Sequence, residues 1–242
     1  MVLYIAIEGN YLLGVLVMHN ESVSINKHIL NEENIFNRKI GYEFLKRLFD
    51  IILTSIALIV LSPAFIIIAI LIKIDSKGSI LYRHKRIGKN GKYIYLYKFR
   101  SMYSDSKERL EKLLENPKIR KEWEENFKLD NDPRITKIGK FLRKTSLDEL
   151  PQLLNILMGD MSIVGPRPII DGEIEKYGKD TSKFLSVTPG LTGWWACNGR
   201  SCTSYDERKK LELYYVDHRS IRLDFKIILK TFISVLKRNG AK

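Results

Sequence analysis

Ile51-Ile-Leu-Thr-Ser-Ile-Ala-Leu-Ile-Val-Leu-Ser-Pro-Ala-Phe-Ile-Ile-Ile-Ala-Ile-Leu-Ile72 is almost wholly apolar and carries no charge. Such a run is about long enough to cross a hydrocarbon core of roughly 30 Å. Two features argue against a simple span. Ser62-Pro63 falls at the midpoint, where proline removes a backbone donor and kinks a helix. Both ends are also basic: Lys46 and Arg47 precede the run, and Lys73, Lys77, Arg83, Lys85 and Arg86 follow it. Positive charge collects on the cytoplasmic side of a membrane segment, so a run basic at both ends is better satisfied by entering and leaving through one leaflet. The sequence therefore predicts a re-entrant helix-break-helix over residues 43–75, with a proline-kinked span as the alternative. Backbone groups freed at the break need partners, and the Ser62 hydroxyl is one.

Outward from this segment, 242 residues suffice for one core and a single catalytic domain, placed at residues 76–242. Residues 1–42 read as an N-terminal extension, with a polar, Asn-rich linker over 20–42. Met1 to Met18 lacks the basic leader of a secretory signal. Forty-one Lys and Arg against 28 Asp and Glu give a net charge of +13, which calls for an anionic partner. The apolar run and the absence of a nucleic-acid-binding motif favour phospholipid and substrate phosphate over nucleic acid. Cys197 and Cys202 form a C-x4-C without a second pair, so no structural zinc site is expected, and His19, His28, His84 and His218 have no metal-ligand spacing.

Ile80 to Tyr97 alternates around Gly-Lys-Asn-Gly and predicts a β-hairpin with an Asn-Gly turn. Ser104 to Lys128 has apolar residues at helical spacing on a charged background, as do Leu211 to Leu236, where an amphipathic helix could lie on the membrane interface. Pro189-Gly-Leu-Thr-Gly193 reads as a turn-rich loop. The predicted fold class is α-dominated α+β: a re-entrant membrane helix plus a compact cytoplasmic catalytic domain with a small β-hairpin and amphipathic interfacial helices.

Asp148 and Glu149 hold the chemistry. They are adjacent carboxylates among many cationic side chains, just ahead of a Leu-rich run. Ser146-Leu-Asp-Glu149 reads as a capping box, which would place the pair in the first turn of a helix, where negative charge is favoured. Asp148 would stay ionised there, able to hold a divalent metal or to attack phosphorus. The plainer reading is that both acids only cap the helix.

Quoted in order, Lys46-Arg-Leu-Phe-Asp50, Ser62-Pro63, Arg86-Ile-Gly88, Lys98-Phe-Arg-Ser-Met102, Asp132-Pro-Arg-Ile-Thr136, Ser146-Leu-Asp-Glu-Leu-Pro-Gln152, Gly159-Asp-Met-Ser-Ile-Val-Gly-Pro-Arg-Pro168, Pro189-Gly-Leu-Thr-Gly193, Asn198-Gly-Arg200 and Leu213-Tyr-Tyr215 resemble the bacterial sugar transferases. These are monotopic polyprenyl-phosphate phosphoglycosyl transferases. The resemblance implies that Asp148 attacks the sugar-linked phosphate of a UDP-sugar, expelling UMP, and that polyprenyl (undecaprenyl) phosphate then takes the phosphosugar. It implies Mg2+ near Asp148 and Glu149, a bacterial inner-membrane location with the catalytic domain on the cytoplasmic face, and a role in starting capsule, O-antigen, exopolysaccharide or glycoprotein glycan synthesis.

Glu149 would hold the metal, handle a proton or cap the helix. Arg167, stiffened between two prolines, suits a bidentate phosphate donor, or else is a turn residue with a solvated tip. Lys98, Arg100 and Arg134 line the phosphate site or pair with acids such as Asp132 and Asp160. Arg200 contacts the nucleotide or orders its own loop. Arg47 and Asp50 would anchor the membrane helix at the headgroups. The chain departs from the family pattern at His84-Lys85-Arg86 and at Trp194-Trp195-Ala196-Cys197, which puts the usual nucleotide or sugar preference in question. With only about 42 residues ahead of the motifs it reads as a short form, and membrane attachment permits a homodimer. Two rivals remain: a glycosyltransferase using Asp130-Asn-Asp132 as a D-x-D metal pair and releasing UDP, and a non-enzymatic basic membrane adaptor.

Overall fold

The computed structural model describes residues 11–126, 129, 131–199 and 203–236. The chain divides into two compact units, Met1–Lys46 and Arg47–Lys242. Helix α1, Tyr11–Asp75, is already helical over residues 20–42, where a linker is expected; no proline or glycine lies between residues 20 and 40 to stop it.

The segment Ile40–Asp75 is long and apolar enough to cross a membrane by length and composition. Its helical conformation continues through Ser62-Pro63, so the predicted break is not an interruption of the helix. Pro63 lacks the N–H that would have bonded Ile59 O, and the Ser62 hydroxyl donates to that carbonyl at 2.8 Å instead. From Arg47 on, the helix has two apolar faces. Leu58, Leu61, Phe65, Ile68 and Ile72 recur three or four residues apart and, with Ala57, pack on the rest of this unit. On the other side Ile59, Val60, Ile66 and Ile67 are 57–74% exposed. Burying Ile68 and Ile72 is worth about 3–6 kcal/mol together. That is comparable with a domain's whole stability of roughly 5–15 kcal/mol, so this stretch is part of the core.

One turn near the start of this packed stretch fixes its register. Arg47 donates to Ile156 O and Leu157 O at 2.5 and 2.7 Å, and the buried Asp50 carboxylate accepts Ile163 N at 2.9 Å. These two residues are tied to the catalytic domain where the sequence suggests headgroup anchors.

The hairpin forms as predicted. Strands β1, Leu81–Ile87, and β2, Tyr93–Phe99, pair antiparallel. The turn has Asn90 at φ 57° and Gly91 at φ 76°, closed by Lys92 N donating to Lys89 O. Ile94, Leu96 and Phe99 face the core beside α1. The charged stretch forms two short helices, α2, Ser106–Leu113, and α3, Pro117–Asn126.

The central block holds α4, Lys137–Thr145, and α5, Gln152–Met158. Thr136 caps α4 by accepting Gly139 N at 2.9 Å. Asn155, wholly buried, accepts Tyr97 N and donates to Tyr95 O, which pins α5 to β2. Strand β3, Ser162–Val164, is joined in parallel by β4, Gly190–Thr192, in the stretch read as a loop. Its glycine permits this: a Cβ on Gly190 would lie 2.0 Å from Gly165 N. Short helices α6, Thr181–Leu185, and α7, Trp194–Asn198, precede and follow β4 in the chain. The amphipathic C-terminal stretch is two helices, α8, Tyr205–His218, and α9, Ile221–Leu236. They are tied together by Tyr215 donating to Asp224 at 2.8 Å. On α9, Phe225, Leu229, Phe232 and Ile233 are 46–65% exposed.

Candidate functional site

The acid pair occupies a single 3-10 turn, Leu147–Glu149, held between α4 and α5. The predicted capping box does not form. Ser146 sits in the left-handed region at φ 57°, where its N–H closes the end of α4, and its side chain caps nothing. Pro151 opens α5 without an N–H to continue the turn. Leu147 and Leu150 pack into the core on either side, leaving Asp148 and Glu149 facing outward.

Glu149 accepts the Lys98 ammonium at 2.7 Å, which ties the turn to β2. Burial pushes the Asp148 carboxyl above the ordinary carboxylate range, and Glu149 pushes the same way, against Lys98 and Arg143, which draw it down. A carboxylate held in this way is less solvated and more nucleophilic than a free one.

Beside the turn lies an open recess lined by Arg86, Leu96, Lys98, Glu149, Gln152, Arg167, Pro168, Gly190 and Leu191. Arg167 is held by its backbone: its N–H donates to Glu212 at 3.1 Å, while Gly190 N donates to Pro166 O and Ile87 N to Ile169 O on either side. Its guanidinium makes no hydrogen bond or ion pair among the described residues. Arg86 lies 3.7 Å from Glu173, and burial, with Arg167 nearby, draws its guanidinium down to about 10, still fully charged at neutral pH. His84 completes this face. Burial and the charges of Arg86, Lys98 and Arg167 lower it to about 4, so it is neutral and its Nδ1 can accept from Arg86. The recess thus presents Arg86, Lys98 and Arg167 to whatever anion enters beside Asp148.

The structure does not bring every predicted residue here. Arg100 is buried and donates to Ser76 O, Lys77 O and Ile72 O, capping the C-terminal end of α1. Arg134 pairs with both oxygens of Asp132 at 2.8 and 2.6 Å and lies over the Trp123 ring. That pairing also occupies the second carboxylate of Asp130-Asn-Asp132, and Asp130 itself is outside the described residues. Arg200 lies outside them too.

Sequence reading left Arg86, His84, Arg143 and Glu212 unassigned. The hairpin register carries the signal for two of them: Tyr82 faces Lys98 and His84 faces Leu96, so His84 and Arg86 share the Lys98 face. Arg143 lies in the last turn of α4, four residues before Leu147, and donates to Ser101 at 2.8 Å. Nothing in the sequence singles out Glu212, since its partner Arg167 is far along the chain.

The Asp148 and Glu149 carboxylates are of the chemical type that magnesium takes, with Glu149 held by Lys98 at 2.7 Å. Among the described residues no cluster of three or more His, Cys, Asp or Glu side chains could hold a metal. Magnesium is commonly held by one or two carboxylates plus substrate phosphates, and the pair can supply those carboxylates.

Glu212 is wholly buried behind Arg167, and its second oxygen has no hydrogen-bond partner among the described residues. Burial raises its carboxyl to about 7, against the pull of the Arg167 N–H, Arg208 and Arg167, with Glu173 adding to the rise. A raised carboxyl binds its proton more tightly in the folded state, so stability falls as pH climbs from about 4.5 toward 7. Glu212→Gln should abolish that fall: chemical denaturation at pH 5 and pH 8 should show the variant gaining relative to the wild type at the higher pH, by up to roughly 3 kcal/mol.

A family model described as Bacterial sugar transferase matches residues 41–238. The chain is 49% identical over 199 residues to an undecaprenyl-phosphate galactose phosphotransferase of Salmonella typhimurium, covering 82% of this chain and 42% of that protein. It is 44% identical over 197 residues to the exopolysaccharide production protein ExoY of Rhizobium meliloti, covering 81% and 87%. To a UDP-glucose:undecaprenyl-phosphate glucose-1-phosphate transferase of Escherichia coli it is 39% identical over 201 residues, covering 80% and 40%. The chain therefore spans less than half the length of the Salmonella and Escherichia proteins. With the acid turn, the Pro-Arg-Pro loop and the packed apolar helix in one domain, and with a family match over most of its length, the chain belongs to the bacterial sugar transferases.

Proposed function

We propose that this chain transfers a phosphosugar from a UDP-sugar to polyprenyl phosphate, giving a polyprenyl diphosphate sugar and UMP. The observation that carries this reading is the meeting of Arg86, Lys98 and the otherwise unengaged Arg167 guanidinium in a recess beside the Asp148-Glu149 turn. Three cations can neutralise a diphosphate and stabilise the charge that spreads over a phosphoryl group in transfer. Asp148 attacks the sugar-linked phosphorus, the bond to the bridging oxygen breaks, and UMP leaves with that oxygen. A polyprenyl phosphate oxygen then attacks the same phosphorus and releases the carboxylate. Magnesium held by Asp148 and Glu149 would offset charge on the diphosphate. Lys98 keeps Glu149 aligned on the turn until substrate competes for its ammonium.

The acceptor is a lipid, and the two-faced α1 supports a monotopic attachment through one face; the re-entrant path and the cytoplasmic side rest on the basic flanks at Lys46, Lys73 and Lys77. One face of residues 57–72 is committed to the domain core along its length, which leaves only the opposite face for hydrocarbon. Ser62 satisfies the carbonyl that Pro63 frees, as hydrocarbon burial requires. We place the membrane segment at residues 43–75 and the catalytic domain at 76–242.

Purified protein given undecaprenyl phosphate, magnesium and a panel of UDP-sugars should release UMP with one donor preferred. Release of UDP would overturn phosphosugar transfer in favour of ordinary glycosyl transfer, and the engagement of Asp132 by Arg134 already speaks against the D-x-D metal site which that reaction would use.

A further inference from the structure

We propose that Arg47 and Asp50 are positioning residues, using one turn of α1 to fix the distance between the acid turn and Arg167. Two segments leave the site in opposite chain directions. Helix α5 runs forward from the acid turn and ends at Met158, and β3 runs toward the Pro-Arg-Pro loop from its start at Ser162. Their far ends are held by neighbouring side chains on the same turn of α1. Arg47 takes Ile156 O and Leu157 O, two carbonyls near the C-terminal end of α5, and Asp50 takes the Ile163 N–H in β3.

The lever arms are short. Helix α5 is seven residues, about 10 Å at 1.5 Å per residue, and Pro151 starts it immediately after Leu150 and the acid pair. Arg167 follows Val164, the last residue of β3, by three residues, and its loop is stiffened by two prolines and held by Gly190 N on Pro166 O. A displacement at the clamp therefore reaches both reacting groups with little damping. Asn155 pins the middle of α5 to β2 but does not reach β3; the α1 turn bonds both segments. Asp50 is buried and Arg47 is engaged by both of its terminal nitrogens, so neither is placed to serve as a headgroup anchor. A misplacement of about 1 Å between nucleophile and phosphate donor can cost about 100-fold in rate.

The kinetic part of the proposal rests on phosphosugar transfer being the reaction; the structural part does not. The full chain is compared with Asp50→Ala, Asp50→Asn, Arg47→Ala and Arg47→Lys. In Asp50→Asn the amide oxygen can still accept Ile163 N, whereas Arg47→Lys loses the two-carbonyl fork. We expect kcat for UMP release to fall about 10- to 100-fold in both alanine variants, with KM for the UDP-sugar within about threefold. Asp50→Asn should stay within about threefold of wild type, Arg47→Lys should fall between, and the membrane-bound fraction should not change. Equal inactivity of Asp50→Asn and Asp50→Ala, a loss explained by KM, or release from the membrane would overturn the proposal. If the wild type releases no UMP, that sinks the proposed reaction alone, and hydrogen exchange over residues 152–164 then decides the clamp. Faster exchange in Asp50→Ala with wild-type exchange in Asp50→Asn supports it, and unchanged exchange in Asp50→Ala ends it.

Discussion

Asp148→Asn should reduce UMP release by about four orders of magnitude or more, the scale on which covalent enzymes lose turnover when the nucleophile is removed. The substitution keeps the shape of the side chain and removes its ability to form a bond to phosphorus. It should not unfold the protein. Burial and the neighbouring Glu149 both raise the Asp148 carboxyl, so the ionised form is disfavoured in the folded state and the fold loses stability as pH rises through that range. A neutral amide escapes the penalty, and the melting temperature of Asp148→Asn at neutral pH should equal or exceed that of the wild type. Activity within tenfold of wild type would remove Asp148 from the nucleophile's role. A variant that is both inactive and less stable would contradict the electrostatics of the turn.

Arg167→Ala should lower kcat/KM for the UDP-sugar by about 100- to 1,000-fold, the cost of deleting one charge-stabilising donor from a phosphoryl-transfer site. Arg167→Lys should recover only part of that, because an ammonium supplies a point charge without the planar fork that meets two phosphate oxygens. Stability should barely move. The guanidinium has no partner among the described residues, and the bond that holds the loop runs from the Arg167 backbone N–H to Glu212, which every substitution except proline retains. A large drop in melting temperature together with the kinetic loss would mean that Arg167 shapes its loop and does not bind phosphate.

Arg100 and Arg134 make the contrast with Arg167. All three stand in motifs with the same cationic character, yet Arg100 closes the end of α1 and Arg134 is locked to Asp132 within its own turn. Their guanidinium groups are already committed, so in this chain they build the frame of the site. Arg86 and His84 show the reverse: the sequence put them in a hairpin, and only pairing with β2 set them beside Lys98.

Local physics made several things readable from sequence alone. Twenty-odd apolar residues interrupted by Ser-Pro and basic at both ends announce a membrane-associated helix, because hydrophobic transfer and charge depend on composition. Alternation around Asn-Gly announces a hairpin, because positive φ at two successive positions is a property of those two residues. Adjacent carboxylates in a cationic stretch, with Pro-Arg-Pro further along the chain, announce anion chemistry. What required tertiary structure was every choice among partners far apart in the chain. Ser146 could cap the next helix or end the previous one, and Leu147 and Leu150 packing into the core decided for the latter. Gly190 could turn or pair, and the close approach of Gly165 made it a strand. Arg47 and Asp50 could face headgroups or the domain, and α5 and β3 captured them. Each of these choices depends on which groups lie within about 3 Å after folding, a distance that no spacing along the sequence encodes.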